Sequence, residues 1–221
     1  MAEKFTLYSF WRSQAAYRVR VALFLKGISV ELRTVDLLKG EQHRTDYRAV
    51  NPEGLVPSLV EDDGRPLIQS LAILEYIDEK YPAPPLLPRD LRDRAYVRGV
   101  AQVPAMDAHP LIVPRVRNYL ANELGVDETA RNAWLKHWLE EGNRALETLI
   151  SHGGRSGRFC FGDEVTLADI CLVPHLVTAG MLYELDLRSY PACERIFGNC
   201  MELEAFAKTQ PKLQPGASAG H

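Results

Sequence analysis

Leu55-Val56-Pro57-Ser58, followed eleven residues after Ser58 by Gln69-Ser70-Leu71-Ala72-Ile73, is the stretch on which the fold turns. It predicts a strand that begins at a proline, a turn, a second strand, and a polar pair opening a helix. Proline has no amide hydrogen to give to a ladder, so it belongs at a strand's first residue or at an edge. After Val56 it is also a candidate cis peptide, a geometry that costs only about 0.5–1 kcal/mol before proline. A cis bond would turn the Val56 N–H and C=O outward as a two-pronged holder for another extended backbone. The Ser70 hydroxyl and the first free amides of the next helix suit a carboxylate. An ordinary β-turn-β-helix unit with a structural proline fits the same letters. A site for a small peptide is the sharper reading.

The sequence on either side extends the pattern. Lys4–Phe10 is a strand candidate, and Ala16–Lys26 is an amphipathic helix closed by Gly27, a normal residue just past a helix end. Ser29–Asp36 is a second strand, with Val30, Leu32 and Val35 apolar. This β-α-β then β-β-α order is that of a thioredoxin-like half. Prolines crowd at Pro82, Pro84, Pro85 and Pro88, which marks a stiff linker. Beyond it the strand signals vanish. The expected fold is α/β plus all-α, with a thioredoxin-like domain at 1–81, a linker at 82–89 and a helical domain at 90–221. The tail from about residue 208 is expected to be irregular.

Within the helical part, Pro104, Pro110 and Pro114 predict bends or a break between Asp90 and Leu120. Trp134, Leu135, Trp138, Leu139, Leu146 and Leu149 recur at helical spacing and read as core. Thr166-Leu167-Ala168-Asp169 fits a capping box in which aspartate stands where glutamate or glutamine is usual. That motif builds structure and carries no chemistry.

Composition narrows the partners. Twenty-six basic against twenty-nine acidic residues leave a formal charge of −3, with no cationic excess to displace counterions from nucleic acid. Cys160, Cys171, Cys193 and Cys200 lack metal-type pair spacing, and Asp107 with His109 forms no ligand cluster, so no metal is expected. Reduced, buried thiols fit a cytosolic protein. No apolar run approaches the roughly 18–20 residues of a membrane span, and Met1-Ala2-Glu3-Lys4 begins no signal peptide. The chain is expected to be soluble and cytoplasmic.

Residues 4–88 resemble the glutathione-binding domain of the glutathione transferases. The likeness is closest to the zeta class, which contains the maleylacetoacetate and maleylpyruvate isomerases. Trp11-Arg12-Ser13 leading into Arg18-Val19-Arg20-Val21-Ala22-Leu23 carries it, with Asn51-Pro52, Val56-Pro57 and Gln69 through Tyr76. Gly162-Asp163-Glu164-Val165-Thr166-Leu167-Ala168-Asp169 and Leu172-Val173-Pro174 extend it nearly to Gln214-Pro215, so it covers almost the entire chain.

The resemblance implies glutathione as cofactor and a homodimer acting on a small unsaturated keto-dicarboxylate. Thiolate adds to a cis double bond conjugated to a carbonyl, the new single bond rotates, and elimination returns glutathione with the trans product. Ser13 is then the thiolate donor at a helix N-terminus, where the macrodipole also favours the anion. Ser13, Gln14, Val56, Pro57, Gln69, Ser70 and His109 are the cofactor-binding set. Arg12 and Arg115 hold the substrate's carboxylates, with Arg12 also facing the developing enolate. Arg18 and Arg20, although part of the motif, are read as structural.

Two departures from the class bear on substrate. The turn that typically reads Ser-Ser-Cys is here Ser13-Gln14-Ala15, and the arginine often found after Leu-Val-Pro is missing from Leu172-Val173-Pro174-His175 through Tyr183. Tyr183 is either a stand-in donor or a core tyrosine. Besides maleylacetoacetate isomerase, three readings therefore stand: maleylpyruvate isomerase, a conjugating or dehalogenating transferase, and a non-catalytic glutathione-binding module.

Overall fold

The computed structural model describes residues 4–183 and 186–217. It divides into two compact units, Met1–Pro85 with Leu203–His221, and Leu86–Glu202. The chain beyond Leu203 groups with the first unit, whereas the sequence pattern alone carries the helical domain to the last residue. The physical reason is specific. Tyr17 Oη donates to the Phe206 carbonyl at 2.9 Å, and Arg20 Nε donates to the Thr209 carbonyl at 3.2 Å. Thr209 and Pro211 are buried, so the start of the irregular tail is held rather than loose.

In the first unit, β1 (Phe5–Ser9), α1 (Gln14–Leu25) and β2 (Val30–Thr34) form a β-α-β unit. A short helix α2 (Thr45–Val50), which the strand and helix patterns did not single out, leads to β3 (Ser58–Val60), β4 (Pro66–Ile68) and α3 (Ser70–Lys80). The sheet order is β2-β1-β3-β4, with β1 parallel to β2 and antiparallel to β3, and β3 antiparallel to β4. This is the mixed four-stranded, thioredoxin-like sheet expected from the order of patterns.

Strand alternation sends neighbouring β1 residues to opposite faces. Phe5 and Leu7 join Leu59 of β3, Val19 and Leu23 of α1, and Ile73 and Ile77 of α3. The i, i+4 pairs bring α1 and α3 onto that one face. Phe10, Trp11, Val35, Tyr47 and Val56 form a second cluster, with Tyr8 packed against it. At the end of α1, Gly27 takes φ 65°, and its N–H and that of Ile28 donate to the carbonyls of Phe24 and Leu23. That is the two-bond Schellman stop, in a conformation glycine adopts without steric cost. Lys26 Nζ then bonds Asp78 Oδ1 at 2.7 Å and the Tyr81 carbonyl at 2.6 Å, which ties the ends of α1 and α3 together.

The second unit is helical. α4 (Leu91–Gln102) runs into a π-helical stretch at Val103–Ala108, then α5 (His109–Ile112), an extended Val113, and α6 (Pro114–Asn122). The three prolines mark these irregularities: Pro104 opens the widened turn and Pro114 restarts the helix. α7 (Glu128–His152) buries Leu135, Leu139, Leu146 and Ile150. Trp134 and Trp138 are only half-buried, and Leu149 is exposed, which corrects their reading as core. Gly142 marks a close approach on α7: a Cβ there would lie 2.9 Å from the Ala108 Cβ. α8 (Leu167–Tyr183) is buried at every position from Leu167 to Leu176, as the central helix of a bundle must be. α9 (Pro191–Met201) closes the unit, with the Glu147 carboxylate accepting from the amides of Ala192 and Cys193 in its first turn.

Candidate active site

Ser13 is the N-cap of α1, and its Oγ accepts from the Ala16 amide at 3.1 Å. The cap uses a lone pair and leaves the hydroxyl proton unspent. The amides of Gln14 and Ala15 have no acceptor among the described residues. Three donors therefore remain at one helix terminus, where the macrodipole favours an anion. One residue earlier, Arg12 is half-buried with its guanidinium 5.6 Å from the centre of the Trp11 ring, and no carboxylate pairs with it among the described residues. Gln14 is buried, and both its amide nitrogen and its oxygen lack a hydrogen-bond partner among the described residues.

The Val56-Pro57 peptide is cis. Strand pairing begins at Ser58, so Val56 stands outside both ladders with its backbone N–H and C=O without partners among the described residues. The loop before it is held from behind. Tyr47 Oη and Asn51 Nδ2 both donate to the Leu55 carbonyl, and Tyr47 Oη also contacts Ser58 Oγ at 3.0 Å. Burial is the main cause that raises the Tyr47 pKa, which keeps the phenol protonated and able to donate.

Gln69 adopts φ 68° and ψ 114°, the only positive-φ non-glycine among the described residues. Such a backbone costs about 1–3 kcal/mol and persists only where the surroundings enforce it. Its side chain does not cap α3 but donates to Glu53 Oε2 at 2.8 Å. The amides of Ser70, Leu71 and Ala72 consequently lack acceptors among the described residues. Ser70 is buried, and its Oγ accepts from Arg18 Nη1 at 3.2 Å. That bond couples the start of α3 to α1 one turn beyond Ser13. Arg18 is thus a structural tie, as read from its place in the motif.

Arg20 is the other buried arginine. Desolvation is the main cause that lowers its pKa to about 10, still far above neutrality, so it stays charged. Nothing in the spacing of the sequence distinguishes its acceptors, or Glu53 as the partner of Gln69.

His109 and Arg115 belong to the helical unit. His109 opens α5 directly after the π-helical stretch and is half-buried. Arg115 is exposed near the start of α6, with no ion pair among the described residues. Tyr183 ends α8 packed against the cluster of Ile112, Leu135, Leu139 and Ala179, with Lys136 Nζ 5.3 Å from its ring centre. It is half-buried, with that apolar cluster on one side and an exposed lysine beside its ring.

The chain's own thiols do not suit nucleophilic work. None of the four cysteines is in a disulfide, and all four are buried. Desolvation pushes the pKa values of Cys160, Cys193 and Cys200 up, so these thiols stay protonated at neutral pH. A thiolate at the Ser13 terminus has to arrive with a ligand. The unspent strand-like backbone at Val56, the open terminus of α3 and the donors at Ser13 fit a short peptide that bears a carboxylate and a thiol.

Comparison with known proteins bears on that fit. Residues 3–79 match the glutathione S-transferase N-terminal domain, and residues 132–198 match the C-terminal domain. A probable maleylacetoacetate isomerase of Vibrio cholerae is 41% identical over 96% of this chain and 97% of its own. The maleylacetoacetate isomerase of Methylobacterium extorquens AM1, solved with bound malonate and glutathione, superposes with a TM-score of 0.94. It is 45% identical over 97% of this chain and all (100%) of its own. A holo maleylpyruvate isomerase, described as a bacterial zeta-class glutathione S-transferase, gives a TM-score of 0.92. Its identity is 40% over 96% of this chain and 100% of its own. With both halves matched and whole-length identity at this level, the chain belongs to the zeta class of the glutathione S-transferase family.

Proposed function

We propose that the protein is a glutathione-dependent cis–trans isomerase of an unsaturated keto-dicarboxylate, with maleylacetoacetate as substrate. The observation that carries this is the terminus of α1. Ser13 caps the helix with a lone pair and keeps its proton for an anion, beside Arg12, which has no carboxylate partner among the described residues. The names of the relatives and the glutathione and malonate bound in one of them support the same reading.

Val56 would hold the peptide backbone of glutathione, and Pro57 would fix the direction of that segment. Gln69, Ser70 and the open amides of α3 would take its α-carboxylate end. When bound, glutathione supplies a thiol nucleophile that is recovered at the end of each turnover. Ser13 donates to the sulfur and lowers the cost of its ionised form. A hydrogen bond to an ion is worth roughly 1.5–3 kcal/mol, or about one to two pKa units. Gln14 brings an amide to the same terminus. Arg12 grips a substrate carboxylate and stabilises negative charge on the adjacent carbonyl oxygen. Arg115, exposed and without an ion pair among the described residues, is the second carboxylate grip. His109 contributes to the glutathione site of a homodimer. Buried, reduced thiols accord with a cytoplasmic protein.

The second reading is maleylpyruvate isomerase. It is supported by the likeness to a holo maleylpyruvate isomerase, whereas the lack of an arginine after Pro174 in α8 keeps a conjugating or dehalogenating transferase open as a third reading. The deciding assay follows maleylacetoacetate isomerisation with catalytic glutathione while total thiol is measured. Turnover at constant thiol is expected. Loss of thiol in step with product would mean a conjugating transferase. Activity on maleylpyruvate alone would establish the second reading.

A further inference from the structure

The buried guanidinium of Arg20 joins three stretches of chain within the first unit. Its Nη1 donates to Ser9 Oγ at 3.0 Å, at the end of β1, and its Nε donates to the Thr209 carbonyl at 3.2 Å. Longer contacts reach the carbonyls of Phe10, from Nη1 at 3.5 Å, and Trp11, from Nη2 at 3.4 Å. Those acceptors are the residues that lead directly into Arg12 and Ser13. The guanidinium also lies 5.4 Å from the centre of the Tyr17 ring, and Tyr17 holds the Phe206 carbonyl.

The same tail touches the turn a second time. Gly216 takes φ 86°, and a Cβ built there would sit 3.8 Å from Trp11 Cδ1. Ala217 packs on the cluster formed by Phe10, Trp11, Val35, Tyr47 and Val56. The C-terminal segment thus reaches the turn through Arg20 and again through Trp11. A planar fork with several fixed donors can serve these acceptors together, and an ammonium cannot.

We propose that Arg20, secured by the C-terminal segment Leu203–Ala217, is the positioning residue for the Trp11–Ser13 turn, setting where the Ser13 hydroxyl and the Arg12 guanidinium stand. The effect on catalysis rests on the role of Ser13 proposed above. The effect on the turn does not.

Two full-length variants test it. Arg20→Lys keeps the charge and loses the fork, and Gly216→Val strains the exposed end of the tail without touching Arg20. Hydrogen exchange in the unliganded protein reads the turn directly. Both variants are expected to speed exchange at the hydrogen-bonded amides of Ser13 and Ala16 by about tenfold or more, with the β3–β4 amides unchanged. The thiol pKa of bound glutathione, read from thiolate absorbance, is expected to rise by about half a unit in each. Uniformly faster exchange over the whole unit, or a lowered Tm with exchange at the turn unchanged, would make Arg20 merely structural and overturn the proposal. A response to Arg20→Lys with none to Gly216→Val would remove the tail from it. Faster exchange at the turn while Ser13→Ala leaves the thiol pKa in place would uphold the positioning and refute the role of Ser13.

Discussion

Two helix N-termini, those of α1 and α8, each carry a hydroxyl residue at the cap and use it to opposite ends. At α8, Asp169 Oδ2 accepts from the Thr166 amide at 2.8 Å and the Thr166 hydroxyl at 2.9 Å, while Oδ1 accepts from the Cys160 amide at 2.8 Å. The carboxylate is fully buried, and the Thr166 hydroxyl is spent on it. At α1, Ser13 is only half-buried, accepts one amide, and leaves its own proton and two neighbouring amides unspent. The residue type at a cap therefore does not separate structure from function. What separates them is whether donors are left over after the helix has been closed.

The largest effect is expected where nothing is left over. Asp169→Asn replaces an all-acceptor group with one that turns an N–H toward buried donors, at a cost of about 3 kcal/mol. For a chain of this size that lowers Tm by roughly 6–12 °C, measurable by thermal unfolding. The pH dependence sharpens the point. Burial, the largest influence, raises the Asp169 pKa, against the pull of the Cys160 and Thr166 amides. A raised folded-state pKa means that the folded chain holds the proton more tightly than the unfolded one. The stability linked to that proton is complete below the ordinary carboxylate value and is lost as pH rises through the folded value. The gap in Tm between wild type and Asp169→Asn should narrow as pH climbs from about 4. A gap that widens would contradict the assignment.

Next in size is the loss of the unspent donor. Ser13→Ala should raise the thiol pKa of bound glutathione by about one to two units and cut the rate at neutral pH by about ten- to a hundredfold. Alanine also forfeits the cap, worth about 1 kcal/mol. Ser13→Asp separates the two effects, because aspartate caps well but has no proton to give. Its Tm should stay near that of wild type while the thiol pKa rises. A normal thiol pKa in Ser13→Asp would break the distinction between the two termini.

What could be read from the sequence follows the same division. Pro57 at the head of β3, Gly27 past the end of α1, and three prolines across α4 to α6 impose local geometry whatever surrounds them, and each element falls where they indicate. The half-box at Thr166 and Asp169 was readable for the same reason. Arg20 was not, because all but one of its acceptors are backbone carbonyls, which every residue carries, and Thr209 lies 189 positions away. Gln69 gave no sign of a positive φ, since glutamine has no preference for it. Leu149 follows the apolar spacing of α7 yet is exposed, because the buried stripe passes through Leu146 and Ile150 instead.

The smallest predicted change concerns Gln14, placed in the cofactor-binding set by the family resemblance and buried with both amide atoms unpartnered among the described residues. Asp169 is buried with its polar atoms spent, whereas Gln14 is buried with its polar atoms unspent. In the free protein such an amide is a cost, and methionine, of similar length, removes it. Gln14→Met should therefore raise Tm by about 2–4 °C, the equivalent of about 1 kcal/mol. If the amide is spent on bound glutathione or substrate, the same variant should weaken that binding by about two- to tenfold, the worth of one neutral hydrogen bond. Higher stability together with lower affinity is the signature of a donor held in reserve for a ligand. A lower Tm with unchanged affinity would instead make Gln14 part of the packing, and the terminus of α1 would then resemble that of α8.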